Sequence, residues 1–192
     1  MNGTFMVSLD FELFWGMLDV CALEAYQENV LGGKKAIPQL LKLFEKYGIH
    51  ATWATVGFLF AENYEELSRY FPEQRPGYLD KRLDAYAEFA QIGKNEEEAP
   101  CFYAPSLVRL VAQAPGQEIG SHTFCHYYCR EKGQTVEEYD QQKERPETCA
   151  EYVDGGQHEI VRQCCQNRAN DHGQNDTGGF VHVFHVRIGS PF

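Results

Sequence analysis

QEIGSHTFCHYY, residues 117–128, reads as a short buried strand (Glu118, Ile119, Gly120) running into a loop that carries two histidines. Gly120 and Ser121 let the backbone turn at the strand end, where parallel α/β sheets build their sites. His122 and His126 stand four residues apart, which sets both imidazoles on one face if the loop opens into a helical turn. That spacing suits two ligands on one divalent metal, and a third ligand with an open position would make the site chemical rather than structural. Taken singly, each histidine is better read as a hydrogen-bonded loop residue.

The third ligand has a candidate in MVSLDFELFWG, residues 6–16. Phe5, Val7, Leu9 and Phe11 alternate with Met6, Ser8, Asp10 and Glu12, the period of a strand. Asp10 and Glu12 then project from one face near the strand's C-terminal end. Two carboxylates at the end of an apolar strand are costly unless a cation or a proton relieves them. The competing reading of Asp10 is a simple turn acid.

SLDFELFWG followed by EIGSHTFCH resembles the polysaccharide deacetylase family, the metal-dependent N-deacetylases related to chitooligosaccharide deacetylase. The first motif of that family is an Asp-rich strand end. Its second is His-(Ser/Thr)-x-x-His, matched by His122, Thr123 and His126. The intervening KKAIPQLLKLFEKYGIHATWATVGFLFAEN resembles the family's first helix and second strand, and the likeness covers about residues 4–142. The resemblance implies an α/β fold of the β/α barrel type and a divalent metal, zinc being the expected ion. It implies a hydrolase that removes N-acetyl groups from a sugar or polysaccharide precursor. On the family pattern the first acid is the base and the next acid the ligand. Asp10 is thus the expected base, with Glu12, His122 and His126 as ligands; exchanged roles for the two acids are the alternative, because they stand two apart rather than adjacent. Trp15 is a candidate for stacking on a sugar ring, and its other reading is a core aromatic.

A structural zinc knuckle of His122, Cys125, His126 and Cys129 is a weaker reading. Its four ligands fall within eight residues, whereas structural sites usually draw on two separated pairs. Seven irregularly spaced cysteines suit reduced thiols better than a disulfide framework. The net charge of −11 argues against nucleic acid or an anionic membrane as the main partner. No apolar run is long enough to cross a bilayer. With the first strand so near Met1, the expectation is a cytoplasmic protein acting on a nucleotide- or lipid-linked sugar precursor. Oligomeric state is not legible.

Between the motifs, residues 34–47 predict a helix with Ile37, Leu40, Leu41 and Phe44 on its inner face, stopped by Gly48. Residues 17–33 read as a loop before it. IHATWATV, residues 49–56, predicts a strand buried on both faces, as a parallel sheet requires. Asn63 with Glu66 caps a short helix; residues 78–91 and 106–113 predict two more, and Thr135 with Glu138 caps a last one ending near Gln142. These middle segments look like an insertion walling the site.

After residue 142 the composition changes. No Leu follows Leu110, and the tail is rich in Gln, Asn, Asp and Gly, too poor in core formers to offset the entropy of ordering. Only residues 180–188 there predict a strand. The family's later motifs, an Arg that orients the base and a His that protonates the leaving amine, have no clear match; His182 and His185 are the only candidates for the acid. Four strands are countable, whereas a complete β/α barrel takes about 250 residues. The expected organisation is therefore an incomplete deacetylase-like barrel over residues 1–142 and an atypical tail over 143–192, as a reading-frame change near 143 would produce. The alternatives are a non-catalytic metal-binding fragment, or an amidohydrolase acting on a non-sugar amide.

Overall fold

The computed structural model describes residues 4–89, 91–136 and 181–187. Four strands, β1 (Thr4–Phe11), β2 (Ala51–Thr55), β3 (Gln117–Ser121) and β4 (Val181–Arg187), form one sheet in the order β3-β2-β1-β4. Every neighbouring pair is parallel. A parallel neighbour needs a crossover, and α1 (Leu23–Tyr47) supplies the one between β1 and β2. The fold is thus mixed α/β with a small parallel sheet. The strand expected at residues 180–188 lies beside β1. The helix expected to end near Gln142, and most of the atypical tail, lie outside the described residues.

The register puts three strand ends level. Phe11 pairs with Thr55, and Thr55 pairs with Ser121. Glu12 and His122, the residues next in sequence, therefore leave the sheet side by side above the end of β2. Strand spacing separates β1 from β3 by about 10 Å, a gap that a Glu and a His side chain can close from opposite sides. Val56 donates its N–H to the Phe11 carbonyl at 3.0 Å, and His122 donates to the Thr55 carbonyl at 2.9 Å, extending both pairings one residue past the ladder.

The first helix starts eleven residues before its predicted boundary of residue 34, so much of the stretch read as a loop is helical. Gly32 and Gly33 obscured it, since mid-helix glycines each cost about 1 kcal/mol relative to Ala. They are outweighed by the stripe Tyr26, Val30, Ile37 and Leu41, all buried at helical spacing. Pro38 therefore lies inside the helix rather than in its first turn and deletes the bond to the Lys34 carbonyl. Burial of Ile37 beside it keeps the helix whole. Gly48 ends it as expected, in the left-handed region at φ 62°, with its N–H on the Glu45 and Phe44 carbonyls.

Of the middle helices, α2 (Tyr64–Ser68) has the predicted cap, Asn63 Oδ1 accepting from the Glu66 N–H at 2.9 Å. The helix predicted over residues 78–91 is broken into a 3-10 turn (Lys81–Leu83) and α3 (Ala85–Phe89). Asp84 makes the break: its Oδ1 accepts from the N–H groups of Tyr86 and Ala87, capping a new helix where a continuous one was expected. α4 (Pro105–Gln113) begins with proline in its first turn. Beneath these segments lies an aromatic core, in which Phe58 meets Trp15, Tyr86, Phe89 and Phe124 edge-on at centroid distances of 4.9–5.3 Å.

Lys34 ties α1 to that middle section. Its Nζ donates to Glu96 Oε1 at 3.0 Å, the Pro100 carbonyl at 2.9 Å and the Tyr103 carbonyl at 2.8 Å, with the side chain only 13% exposed. One ammonium thus satisfies three acceptors on one loop. Lys34→Met keeps the stem but strands those acceptors, and should lower stability by about 2–3 kcal/mol, read as a fall in the urea midpoint.

Candidate metal centre

Glu12 ends β1 in a conformation that is no longer a strand (φ −126°, ψ −15°), and a 3-10 turn, Leu13–Met17, follows it. Its direction is set by that turn rather than by strand alternation, and its side chain is completely buried. Gly16 makes room: a Cβ built there would overlap the Glu12 carboxylate.

The histidine loop takes a shape the spacing did not predict. No helical turn forms over residues 122–126; Thr123 and His126 instead adopt left-handed backbone at φ 63° and 56°. Such angles are costly for residues other than glycine and persist only where surrounding contacts fix them. Here those contacts are numerous. Thr123 donates its N–H to Ser121 Oγ at 3.1 Å, and its own Oγ1 accepts from the Tyr127 N–H at 2.7 Å. The carbonyls of Thr123 and Phe124 accept from the Gly57 and Phe58 N–H groups, both at 3.0 Å. Gly57 has to be small, since a Cβ there would sit 2.9 Å from the Phe124 Cα.

The outcome is convergence on one atom. His122 Nε2 lies 3.1 Å and His126 Nε2 3.0 Å from Glu12 Oε2. One ligand atom from each of the three residues falls within 4.8 Å of the other two. Oxygen and nitrogen donors held tetrahedrally at 2.0–2.2 Å from zinc stand roughly 3.4 Å apart, so contacts near 3 Å need little adjustment to take an ion. The donor set of one carboxylate and two imidazoles suits a borderline-soft divalent metal, and it leaves coordination positions for water or substrate.

The remaining candidates fall differently. Asp10 lies within β1, paired in register with Ala54 and Arg187, and does not belong to the three-residue cluster. Trp15 requires correction as a sugar-stacking surface: it is fully buried, its indole N–H donates to the Phe102 carbonyl at 2.8 Å, and it stacks on Phe89 at 5.4 Å. The apolar run LFWGM around it was the signal for the core reading. The knuckle thiols also stay apart from the cluster. Cys125 is buried and its thiol is pushed up to about 12, chiefly by that burial, so it stays neutral, while Cys129 is exposed. On β4, His182 and His185 pair in register with Phe5 and Ser8, below the level of Phe11 where the three strand ends align. Gly16 and Gly57 escaped sequence reasoning because what they provide is room, and Ser121, read only as a turn residue, also accepts the Thr123 N–H.

With that geometry in place, comparison with known families matches the polysaccharide deacetylase family over residues 28–162. The matched span exceeds half of the 192-residue chain, and the chain belongs to the polysaccharide deacetylase family. The match includes both histidines and starts after Asp10 and Glu12, so the acidic strand end rests on the geometry above. Neither a curated protein nor a solved structure matches the chain. Among the described residues, no helix is long and apolar enough to cross a membrane.

Gly16→Ala isolates the carboxylate. The overlap is with the far end of a flexible side chain, so Glu12 should swing away while the fold persists. Zinc affinity, read by competition with a chromophoric chelator, should fall by roughly 10-fold or more with an unchanged far-UV circular dichroism spectrum.

Proposed function

We propose that Glu12, His122 and His126 hold a divalent metal, with zinc the expected ion, and that the chain hydrolyses the N-acetyl amide of a carbohydrate. The observation that carries this reading is the approach of two Nε2 atoms to one buried carboxylate oxygen, in a chain of the polysaccharide deacetylase family. A metal bound there would supply Lewis acidity toward the amide carbonyl and the attacking water.

The residues of the chain do the rest. Glu12 would offer one carboxylate and His122 and His126 two neutral imidazoles to a dication, a donor set that would leave a site with net positive charge suited to an oxygen that becomes anionic. The hydrogen-bonded loop holds His122 and His126 in place throughout, which avoids reorganisation during the reaction. Asp10 accepts the proton from water, a role worth roughly 10²–10⁴ in rate. Contact of Glu12 with both imidazoles is what favours it as the ligand and leaves Asp10 as the base. The proton taken from water passes to the departing nitrogen as the C–N bond breaks, and the products are the free amine and acetate.

Two measurements test this. Purified wild type should carry about one metal ion per chain, and His122→Ala should lose it; an unchanged metal content would return His122 to the role of a loop histidine. Asp10→Asn should retain the metal while acetate release from an N-acetylglucosamine oligomer falls roughly 10²–10⁴-fold. Loss of metal in that variant would exchange the roles of the two acids. Tight binding by wild type without acetate release would mark a non-catalytic metal protein.

A further inference from the structure

His126 is held differently from most metal-binding histidines. Such rings usually donate their second nitrogen to an acceptor that fixes their orientation. His126 Nδ1 is buried and has no hydrogen-bond partner among the described residues, and its backbone sits at φ 56°. Something other than a hydrogen bond to the ring has to aim Nε2 at Glu12.

Among the described residues two rings meet that imidazole: that of His122, tilted at 5.1 Å, and that of Tyr128, edge-to-face at 5.0 Å; Tyr128 is the one that is not itself a proposed ligand. Tyr128 is itself anchored at two points. Its N–H donates to Tyr78 Oη at 2.9 Å, and its own hydroxyl donates to Asp19 Oδ1 at 3.0 Å. Tyr78 is 2% exposed, and its ring meets those of Tyr127 and Tyr128 at 6.0 Å. The two anchors come from separate parts of the chain. Asp19 lies just beyond the turn that follows Glu12, and Tyr78 lies in the segment before α3.

We propose that Tyr78 and Tyr128 are positioning residues for the metal centre: Tyr78 fixes the backbone of Tyr128, and the Tyr128 ring in turn fixes the His126 imidazole. This inference rests on the reading of Glu12, His122 and His126 as metal ligands. It gives the middle segment a task at the site, because Tyr78 reaches the histidine loop through a buried hydroxyl. The anchor at Asp19 is exposed and contributes less, since water competes for both of its partners.

The test uses the full chain with zinc and cobalt(II) as probes. Tyr78→Phe keeps the ring and deletes the acceptor; Tyr128→Leu deletes the face that meets His126; Tyr128→Phe keeps that face and deletes only the Asp19 bond. Tyr103→Phe, which removes another buried hydroxyl, is the control. Zinc affinity should fall about 10-fold in Tyr78→Phe and in Tyr128→Leu, with altered ligand-field bands in the cobalt form. Tyr128→Phe and Tyr103→Phe should stay within about twofold of wild type. A merely structural role would lower the melting temperature of the apo protein and leave the cobalt spectrum unchanged, and that outcome overturns the inference. Wild-type affinity and spectrum in both Tyr78→Phe and Tyr128→Leu would overturn it equally. Absence of metal binding by wild type would instead defeat the metal reading itself, and this inference with it.

Discussion

A carboxylate with no exposed surface sets the terms for this structure. Removing a carboxylate from water costs several kcal/mol unless charge and hydrogen-bonding partners replace the solvent, and Glu12 has been withdrawn completely. Two imidazole nitrogens at 3.0 and 3.1 Å meet one of its oxygens. The carboxylate can sit there because Gly16 has no side chain, and the imidazoles can reach it because Phe11, Thr55 and Ser121 stand level across three parallel strands. A slip of one residue in either pairing would turn the facing residues to the other side of the sheet and take the imidazoles away from the acid. Register is thus the quantity on which the site depends.

The aromatic layer bears on the same requirement. Trp15 belongs to the turn that follows Glu12, and Phe124 to the histidine loop; both pack edge-on against Phe58, at 4.9 and 5.1 Å. Phe58 lies just beyond β2, and its backbone N–H also holds the Phe124 carbonyl. One ring therefore clamps the two segments that carry Glu12 and the two histidines, from the strand that lies between them. Edge-to-face pairs contribute about 0.5–1.5 kcal/mol beyond burial alone, enough to help offset two left-handed residues in a loop of five. Burial of Trp15 follows from this arrangement, since a sugar-facing indole could not also form the wall of that layer.

The sheet and the three residues that cluster above it, Glu12, His122 and His126, were legible because each carries a local signal. Alternation marks β1, an uncharged run marks β2, and a His-Thr-x-x-His segment after a short apolar strand marks β3 and its loop. The strand near the C-terminal end was readable from FVHVFHVRI for the same reason. Other features depend on tertiary balance. The early part of α1 hides behind two glycines that a buried stripe outweighs, and the break at Asp84 arises from a side chain competing with the backbone for N–H groups. The histidine loop is the clearest case. Spacing of four suggested a helical turn, yet the imidazoles meet through left-handed backbone fixed by bonds to Ser121, Gly57 and Phe58, partners that no local pattern announces.

The division of labour proposed for Asp10 and Glu12 has a physical basis that spacing alone does not supply. In a continuous strand, residues two apart share a face and would stand in similar surroundings. The chain leaves the strand at Glu12, so Asp10 stays on the ladder while Glu12 enters the turn. The carboxylate freed from strand geometry can fold toward the two histidines, and its longer side chain helps it reach. The one that remains in the sheet keeps a direction fixed by pleat and register. A ligand has to adapt to the ion, whereas a base has to present its oxygen to water at a set angle. Departure from the strand between these two residues thus gives the two carboxylates the different surroundings that the proposed roles require.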